Sequence, residues 1–465
     1  MQHKTIKFIL RIILFIIILI ILFKTFQYLS KAAPTKANIV VDTRKIVGFI
    51  NPNWKALAQG GEEKGIRMLE KVIPEIAGLY PRYIRIDHIY DYYDVVNRGN
   101  NDQLTFNWQK LDATVCDISH TGAKPFFSLG YMPPVMSEDG SLVSKPKNWN
   151  DWSLVVQKTI ERYSGQSTRI CGQVTGDLLE DVYYEVWNEP DFETFGKWSL
   201  YGGAKDYKTL YYYSVLGANN AQNINRFLIG GPAITAAYRN WFLGFADYIL
   251  EKKLRVDFLS WHHYSKNPDD FYQDLDNINQ WLADDKYVRF RHLQKIVSEW
   301  GYDSNPNPVA NTNVGAAHTV ASIRNLIEQQ VEMAFTFEIK DGPTPSWGIL
   351  SYSGQKKPRY FALKLLNLLD RARLELTGEG TFVKGIASSS YNKTTLILVN
   401  YDPDERNTEL VPVTFNNLSP GDYQIKETGI NGKTITANLD LTGTFLRKTV
   451  LMPPNTIVTV ELIKQ

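Results

Sequence analysis

Cysteine is nearly absent: Cys116 and Cys171 are the two in 465 residues, too few for a disulfide framework or a four-ligand zinc site. Whether they pair is left open by the sequence. Histidine is sparse as well, with seven in all, and no two stand in a His-x-His pattern. Metal-dependent barrel hydrolases gather several histidines and carboxylates at one point, so neither a metal nor a cofactor is expected. No basic cluster exists of the kind that neutralises a phosphate backbone, which removes nucleic acid from the partners considered. The 51 cationic and 49 acidic side chains nearly balance. Five of the cations (Lys4, Lys7, Arg11, Lys24 and Lys31) crowd the first 31 residues, where there is no acid. The chain has no internal repeat and no low-complexity tract. Its hydrophobic fraction of 44% and charged fraction of 22% are ordinary for a globular protein. Aromatic residues are the surplus, at 13%.

One long apolar run is present. Ile12–Phe23 is unbroken, and basic residues precede it, the flank that stays cytoplasmic. Residues 1–35 therefore read as a membrane anchor, or as a signal segment with a similar layout. The run from Ile6 approaches the roughly 20 residues that span a bilayer, and Ala32-Ala33 followed by Pro34 is a poor cleavage context, so the anchor is preferred. Both readings place everything beyond residue 35 outside the cytoplasm, in the membrane-anchored or the secreted form.

Between residues 46 and 373, β-branched and aromatic strands alternate with amphipathic segments. The strands are Ile46–Ile50, Arg82–His88, Lys124–Gly130, Val182–Trp187, Phe227–Gly231, Asp257–His263, Leu293–Glu299 and Val331–Glu338. Eight strand–helix units of this length fit an α/β chain folded as a (β/α)8 TIM barrel. A doubly wound sheet would want a glycine-rich phosphate turn after its first strand, and Asn51-Pro52-Asn53-Trp54 stands there instead. Residues 374–465 switch to short alternating runs between turn signals such as Asn431-Gly432, the pattern of an all-β sandwich module. Ala37–Asp42 is strand-like and available to pair with it.

Two strand ends carry carboxylates. The fourth strand runs into Asn188-Glu189-Pro190 and the seventh into Ser298-Glu299-Trp300-Gly301. Reactive groups of such barrels sit at the C-terminal strand ends, and two carboxylates facing each other across a mouth are the equipment of glycoside hydrolysis. On these residues the chain resembles family 39 of the clan A glycoside hydrolases, which contains β-xylosidases, α-iduronidases and exopolysaccharide hydrolases. The resemblance implies Glu189 as general acid/base, Glu299 as nucleophile, retention of anomeric configuration, and a hydrogen bond from Asn188 to the sugar 2-hydroxyl.

The same resemblance makes Arg85, at the end of the second strand, the cation that holds Glu299 ionised. An internal ion pair with Glu185 is the alternative for it. The family more often has His where Asp87 stands, with His88 the neighbour able to supply that contact. Period-two alternation puts His262 and Tyr264 on one face, similar to the clan's His-x-Tyr pair, and leaves His263 structural. Sugar rings stack their C–H faces on aromatic planes, so Trp54, Tyr131 and Trp347, in or near loops after strands, are expected to line subsites. Trp261 and Trp300 are expected in the core. The function expected is a retaining glycosidase acting on an extracellular oligo- or polysaccharide. A carbohydrate-binding protein without turnover is the alternative, although binding alone needs neither acid nor nucleophile. The sugar, the linkage and the oligomeric state are not legible.

Overall fold

In the computed structural model, which describes residues 34–465 apart from 61–62 and 345–346, eight parallel strands close into a barrel. They are β2 (Ala56–Gln59), β3 (Tyr83–Ile86), β4 (Lys124–Leu129), β5 (Val182–Val186), β6 (Phe227–Ile234), β7 (Phe258–Tyr264), β8 (Gln294–Gly301) and β9 (Met333–Phe337). Each hydrogen-bonds to the next, and β9 returns to β2. A helix follows every strand: α1 (Ile73–Ala77), α2 (Gln109–His120), α3 (Trp149–Tyr163), α4 (Tyr207–Asn220), α5 (Arg239–Lys252), α6 (Asp270–Trp281), α7 (Asn313–Glu328) and α8 (Pro358–Leu366). Polar side chains cap several of them. Asn148, Asp206 and Thr312 accept from backbone N–H groups in the first turns of α3, α4 and α7, satisfying donors that a helix start leaves open.

The expected first strand is in the wrong place. Ile46–Phe49 belongs to β1 (Ile39–Phe49), which leaves the barrel altogether and pairs with β10 (Ala372–Thr377). The strand that opens the barrel reads Ala-Leu-Ala-Gln, with no β-branched residue to mark it. Its small side chains have a packing reason. Ala56 and Ala58 face the barrel interior together with Phe126, Tyr183, Phe258 and Phe335, and the rings fill the space the alanines leave.

The C-terminal residues form one continuous nine-stranded sheet. Beyond β10 it contains β11 (Val383–Ser389), β12 (Lys393–Asn400), β13 (Glu409–Asn416), β14 (Gly421–Gly429), β15 (Thr434–Leu441), β16 (Phe445–Met452) and β17 (Thr456–Lys464). The order is β15-β14-β17-β12-β11-β10-β1-β13-β16. Side chains from both flanks, such as Val413 and Phe415 on β13 and Val458 and Val460 on β17, share one apolar core, so the sheet curls over itself. Arg324 and Glu328 on α7 reach Glu379 and Arg373, fastening this module to the barrel. Cys116 on α2 and Cys171 are joined as a disulfide. The apolar run Ile12–Phe23 lies outside the described residues, and no described helix is long and apolar enough to cross a membrane.

Candidate active site

Inward-facing positions of successive strands build the barrel mouth. On β3 the alternation that turns Tyr83 into the interior also turns Arg85 inward, and on β5 it does the same for Tyr183 and Glu185. Arg85 is fully buried and three-fold engaged. Its Nε donates to Glu185 Oε2 at 2.8 Å, Nη2 to Asn188 Oδ1 at 2.8 Å, and Nη1 to Glu299 Oε2 at 3.3 Å. The internal ion pair and the contact with Glu299 therefore coexist in one side chain.

Glu299 is aimed by a β-bulge. Trp261 on β7 pairs with Val297, and the next residue, His262, pairs with Glu299. Ser298 is the extra residue, and such an insertion re-aims the side chain that follows. Tyr264 Oη donates to Glu299 Oε1 at 2.5 Å. Burial, reinforced by Glu189, pushes the Glu299 carboxyl above the usual carboxylate range against the opposing pull of His262, Arg85 and Tyr264. The expectation that Arg85 would hold it down is thus corrected: the arginine pulls in that direction, and desolvation outweighs it.

Glu189 follows β5 on a backbone that turns sharply, with φ of +72° at Trp187 and +42° at Glu189. Non-glycine residues hold such angles only where the surroundings fix them. Ser128 Oγ donates to the Trp187 carbonyl at 2.9 Å, and the Glu189 amide to the Ala233 carbonyl at 2.9 Å. His262, wholly buried, stands between the carboxylates, its Nδ1 2.9 Å from Glu189 Oε1 and 3.8 Å from Glu299 Oε2. Burial disfavours its proton, but the two carboxylates together raise its pKa above the ordinary imidazole value. Oxygens of Glu189 and Glu299 and a nitrogen of His262 all lie within 4.8 Å of one another. That is close enough to hold a metal ion, although hydrogen bonds within the cluster already engage these groups.

A family description, Glycosyl hydrolases family 39, matches residues 35–424. The chain belongs to that family. As a member it is a glycoside hydrolase. A β-xylosidase of Caldicellulosiruptor saccharolyticus is 24% identical over 422 residues, spanning 82% of this chain and 81% of its own. Two solved structures share the fold: a monomeric β-xylosidase from Caulobacter crescentus (TM-score 0.74, 20% identity, 92% of this chain and 99% of that one), and a GH39 enzyme from Xanthomonas axonopodis pv. citri (TM-score 0.75, 17% identity, 93% and 98%).

In this family 39 hydrolase the carboxylate pair opens into a cleft of about 690 Å³, a size suited to a small ligand. Asp87, His88, Asn188, Tyr264 and Trp347 line it, as do Glu189 and Glu299. His88 is oriented by Asp91, 2.8 Å away, and stacks on Tyr92. Trp347 is fixed by a bond from its Nε1 to the Asp303 carbonyl. His263 turns outward to Asp274 on α6, at 2.5 Å.

Two expected subsite aromatics do not reach the cleft. Trp54 precedes β2 and so lies at the opposite, N-terminal end of the barrel. It is 3% exposed, and its Nε1 bonds Asn367 beyond α8. The misplaced first strand caused that error. Tyr131 is buried against Trp187 and Phe195 and accepts a hydrogen bond from Asn188 Nδ2 at 3.0 Å. It positions the asparagine instead of facing a sugar. Glu338 went unnoticed in the sequence. It is buried at the end of β9, where desolvation and the nearby Asp341 and Glu299 push its carboxyl well above the usual range. The strand-end rule that singled out Glu189 and Glu299 applies to it equally.

Proposed function

We propose that this glycoside hydrolase retains anomeric configuration, with Glu299 as nucleophile and Glu189 as general acid/base, and that it acts outside the cytoplasm on an oligo- or polysaccharide. The observation that carries the mechanism is the approach of the two carboxyl groups, oxygen to oxygen within 4.8 Å. Retaining enzymes hold them about 5–5.5 Å apart, whereas inverting ones leave about 6.5–9.5 Å for a water.

In the first step a Glu299 oxygen attacks the anomeric carbon while the Glu189 proton passes to the departing glycosidic oxygen. The Glu299 charge is consumed in the new ester bond. Glu189, now ionised and relieved of its charged neighbour, takes a proton from water, whose oxygen attacks the same carbon and frees Glu299. Tyr264, kept protonated by burial and by Glu299, donates to the nucleophile in the resting state. His262 Nδ1 stands between the two carboxyl groups, 2.9 Å from Glu189 and 3.8 Å from Glu299, and links them before substrate arrives.

The relatives named β-xylosidases make an aryl β-xyloside the first substrate to try. Export is supported by the apolar run Ile12–Phe23 with its basic flank and by the Cys116–Cys171 bond, since disulfides persist in oxidising compartments. The deciding experiment follows hydrolysis by NMR. The first-formed product is expected to keep the anomeric configuration of the substrate; an inverted first product overturns the assignment, and absence of turnover favours a binding protein. For anchoring, the full chain is expected in carbonate-washed membranes, and recovery as a soluble protein with a new N-terminus near residue 33 would identify a cleaved signal.

A further inference from the structure

The cleft wall carries carboxylates and histidines but no lysine or arginine side chain. Asp87, Glu189 and Glu299 line it, and no lysine or arginine is among its described lining residues. The undescribed positions between 34 and 465 are Gly61, Glu62, Pro345 and Ser346, which add none. The cations behind the wall are already engaged by the protein. Arg85 is shared among Glu185, Asn188 and Glu299, Lys357 pairs with Asp341, and the buried Arg359 donates to the Phe337 and Trp347 carbonyls.

Asp87 stands out on this wall. It lies two residues beyond Arg85 on the inward face, is 7% exposed, and has an oxygen, Oδ1, buried without a hydrogen-bond partner. Room for its carboxylate depends on Gly60, where a Cβ would sit 3.1 Å from Oδ1 and 3.0 Å from the Phe337 ring. A buried acceptor left short of a donor is costly and asks for an explanation. A sugar hydroxyl entering beside Asp87 brings the donor that the protein does not. A second carboxylate brought by the sugar itself would meet Asp87, Glu189 and Glu299, whose neighbouring cation Arg85 and imidazole His262 are already bonded to the protein's own carboxylates, and juxtaposed like charges strongly disfavour a wrong partner.

We infer that Asp87 is a specificity residue that selects a neutral glycone: it accepts a hydroxyl of the sugar held at Glu299 and excludes a glycone bearing its own carboxylate. The inference rests on the assignment of Glu189 and Glu299 as the reactive pair. Its test uses three 4-nitrophenyl glycosides in both anomers: xyloside, glucoside and glucuronide. They share ring stereochemistry and differ only in carrying hydrogen, hydroxymethyl or carboxylate at carbon 5. The full chain is expected to cleave the better neutral glycoside with kcat/KM about 100-fold or more above the matching glucuronide. Asp87→Asn, which keeps a carbonyl acceptor and loses the charge, is expected to narrow that gap about tenfold or more. Glucuronide cleaved as well as either neutral sugar overturns the inference while leaving the glycosidase reading intact. A wide gap unchanged in Asp87→Asn assigns exclusion to other groups and overturns the role of Asp87. Release from none of the six overturns the reactive-pair assignment and this inference with it.

Discussion

The floor and the mouth of the barrel are lined by the same strands, one strand repeat of about 7 Å apart, and they are built from opposite materials. Tyr83, Tyr183, Phe258 and Ile296 at the floor join Phe126, Phe335 and two alanines in an apolar plug. The next inward positions beyond Tyr83, Tyr183 and Ile296 are Arg85, Glu185 and Glu299, level with His262 two repeats beyond Phe258; all four are buried and ionisable. Burying apolar surface stabilises a fold at about 25 cal/mol per Å², whereas a buried ion pair often contributes nothing net once desolvation is counted. The floor therefore holds the barrel closed, and the mouth spends part of that stability on chemistry. Two buried histidines repeat the contrast. His262, between carboxylates, is raised in pKa. His318 on α7, ringed by Phe271, Trp300, Tyr302 and Tyr401, is lowered by burial to about 3.

The contrast breaks first at Glu299. Glu299→Ala is expected to lose roughly 10⁵-fold in kcat/KM on an activated aryl glycoside, with a Tm equal to or above that of the wild type because a buried charge is gone. A collapse in Tm would place stability at the mouth after all. Glu189→Ala separates the two carboxylates. With a leaving group that needs no proton, the glycosyl-enzyme should still form and appear as a burst, while deglycosylation slows by about 10²–10⁴-fold. Azide, which needs no base, should restore turnover with retention. Azide rescue of Glu299→Ala with retention instead would reverse the roles.

At the floor, Phe126→Ala should cost about 3–5 kcal/mol in urea unfolding and leave kcat per folded molecule near wild type. A loss of kcat without a loss of stability would erase the distinction between the two layers.

The smallest effects are in the pH dependence of Tm. The folded value of His318, about 3, lies below its ordinary 6.5, so its contribution is complete above about pH 6.5 and is lost as pH falls toward 3. His318→Gln, which keeps a donor for the Ser265 carbonyl, should flatten that acid limb. Glu299 and His262 are raised above their ordinary 4.5 and 6.5, so their contributions are complete in acid and are lost as pH rises through the folded values. Glu299→Gln should flatten the alkaline limb. Scanning calorimetry from pH 3 to 9 measures both limbs, and identical profiles for the variants and the wild type would contradict the account.

Much of this was legible in the sequence because barrel strands buried on both faces read as apolar runs, and strand ends then point to the mouth. Seven of the eight strands fall where β-branched and aromatic residues predict them. The exception is instructive. Ile46–Phe49 has the composition of a strand and is one, but it pairs with the C-terminal sheet, a long-range choice that local pattern does not encode. Ala56–Gln59 is a strand because of the rings opposite it. Trp54 was misplaced with that strand, and Tyr131 because loop position alone does not tell a stacking platform from a buried prop. Alternation put His262 and Tyr264 on one shared face, and both reach the carboxylates, but the bulge at Ser298 that turns Glu299 toward them had no sequence signature. The pKa of Glu299 could not be read from its neighbours alone, since burial exceeds the pull of Arg85.

The central claim is that Glu299 forms the covalent bond. An activated 2-deoxy-2-fluoro-xyloside, which slows release of the intermediate more than its formation, should inactivate the enzyme and add one glycosyl unit to it. After proteolysis, mass spectrometry should find that mass on the peptide containing Ser298-Glu299-Trp300, and Glu299→Gln should remain unlabelled. A label on Glu189, Glu338 or Asp87 would contradict the account.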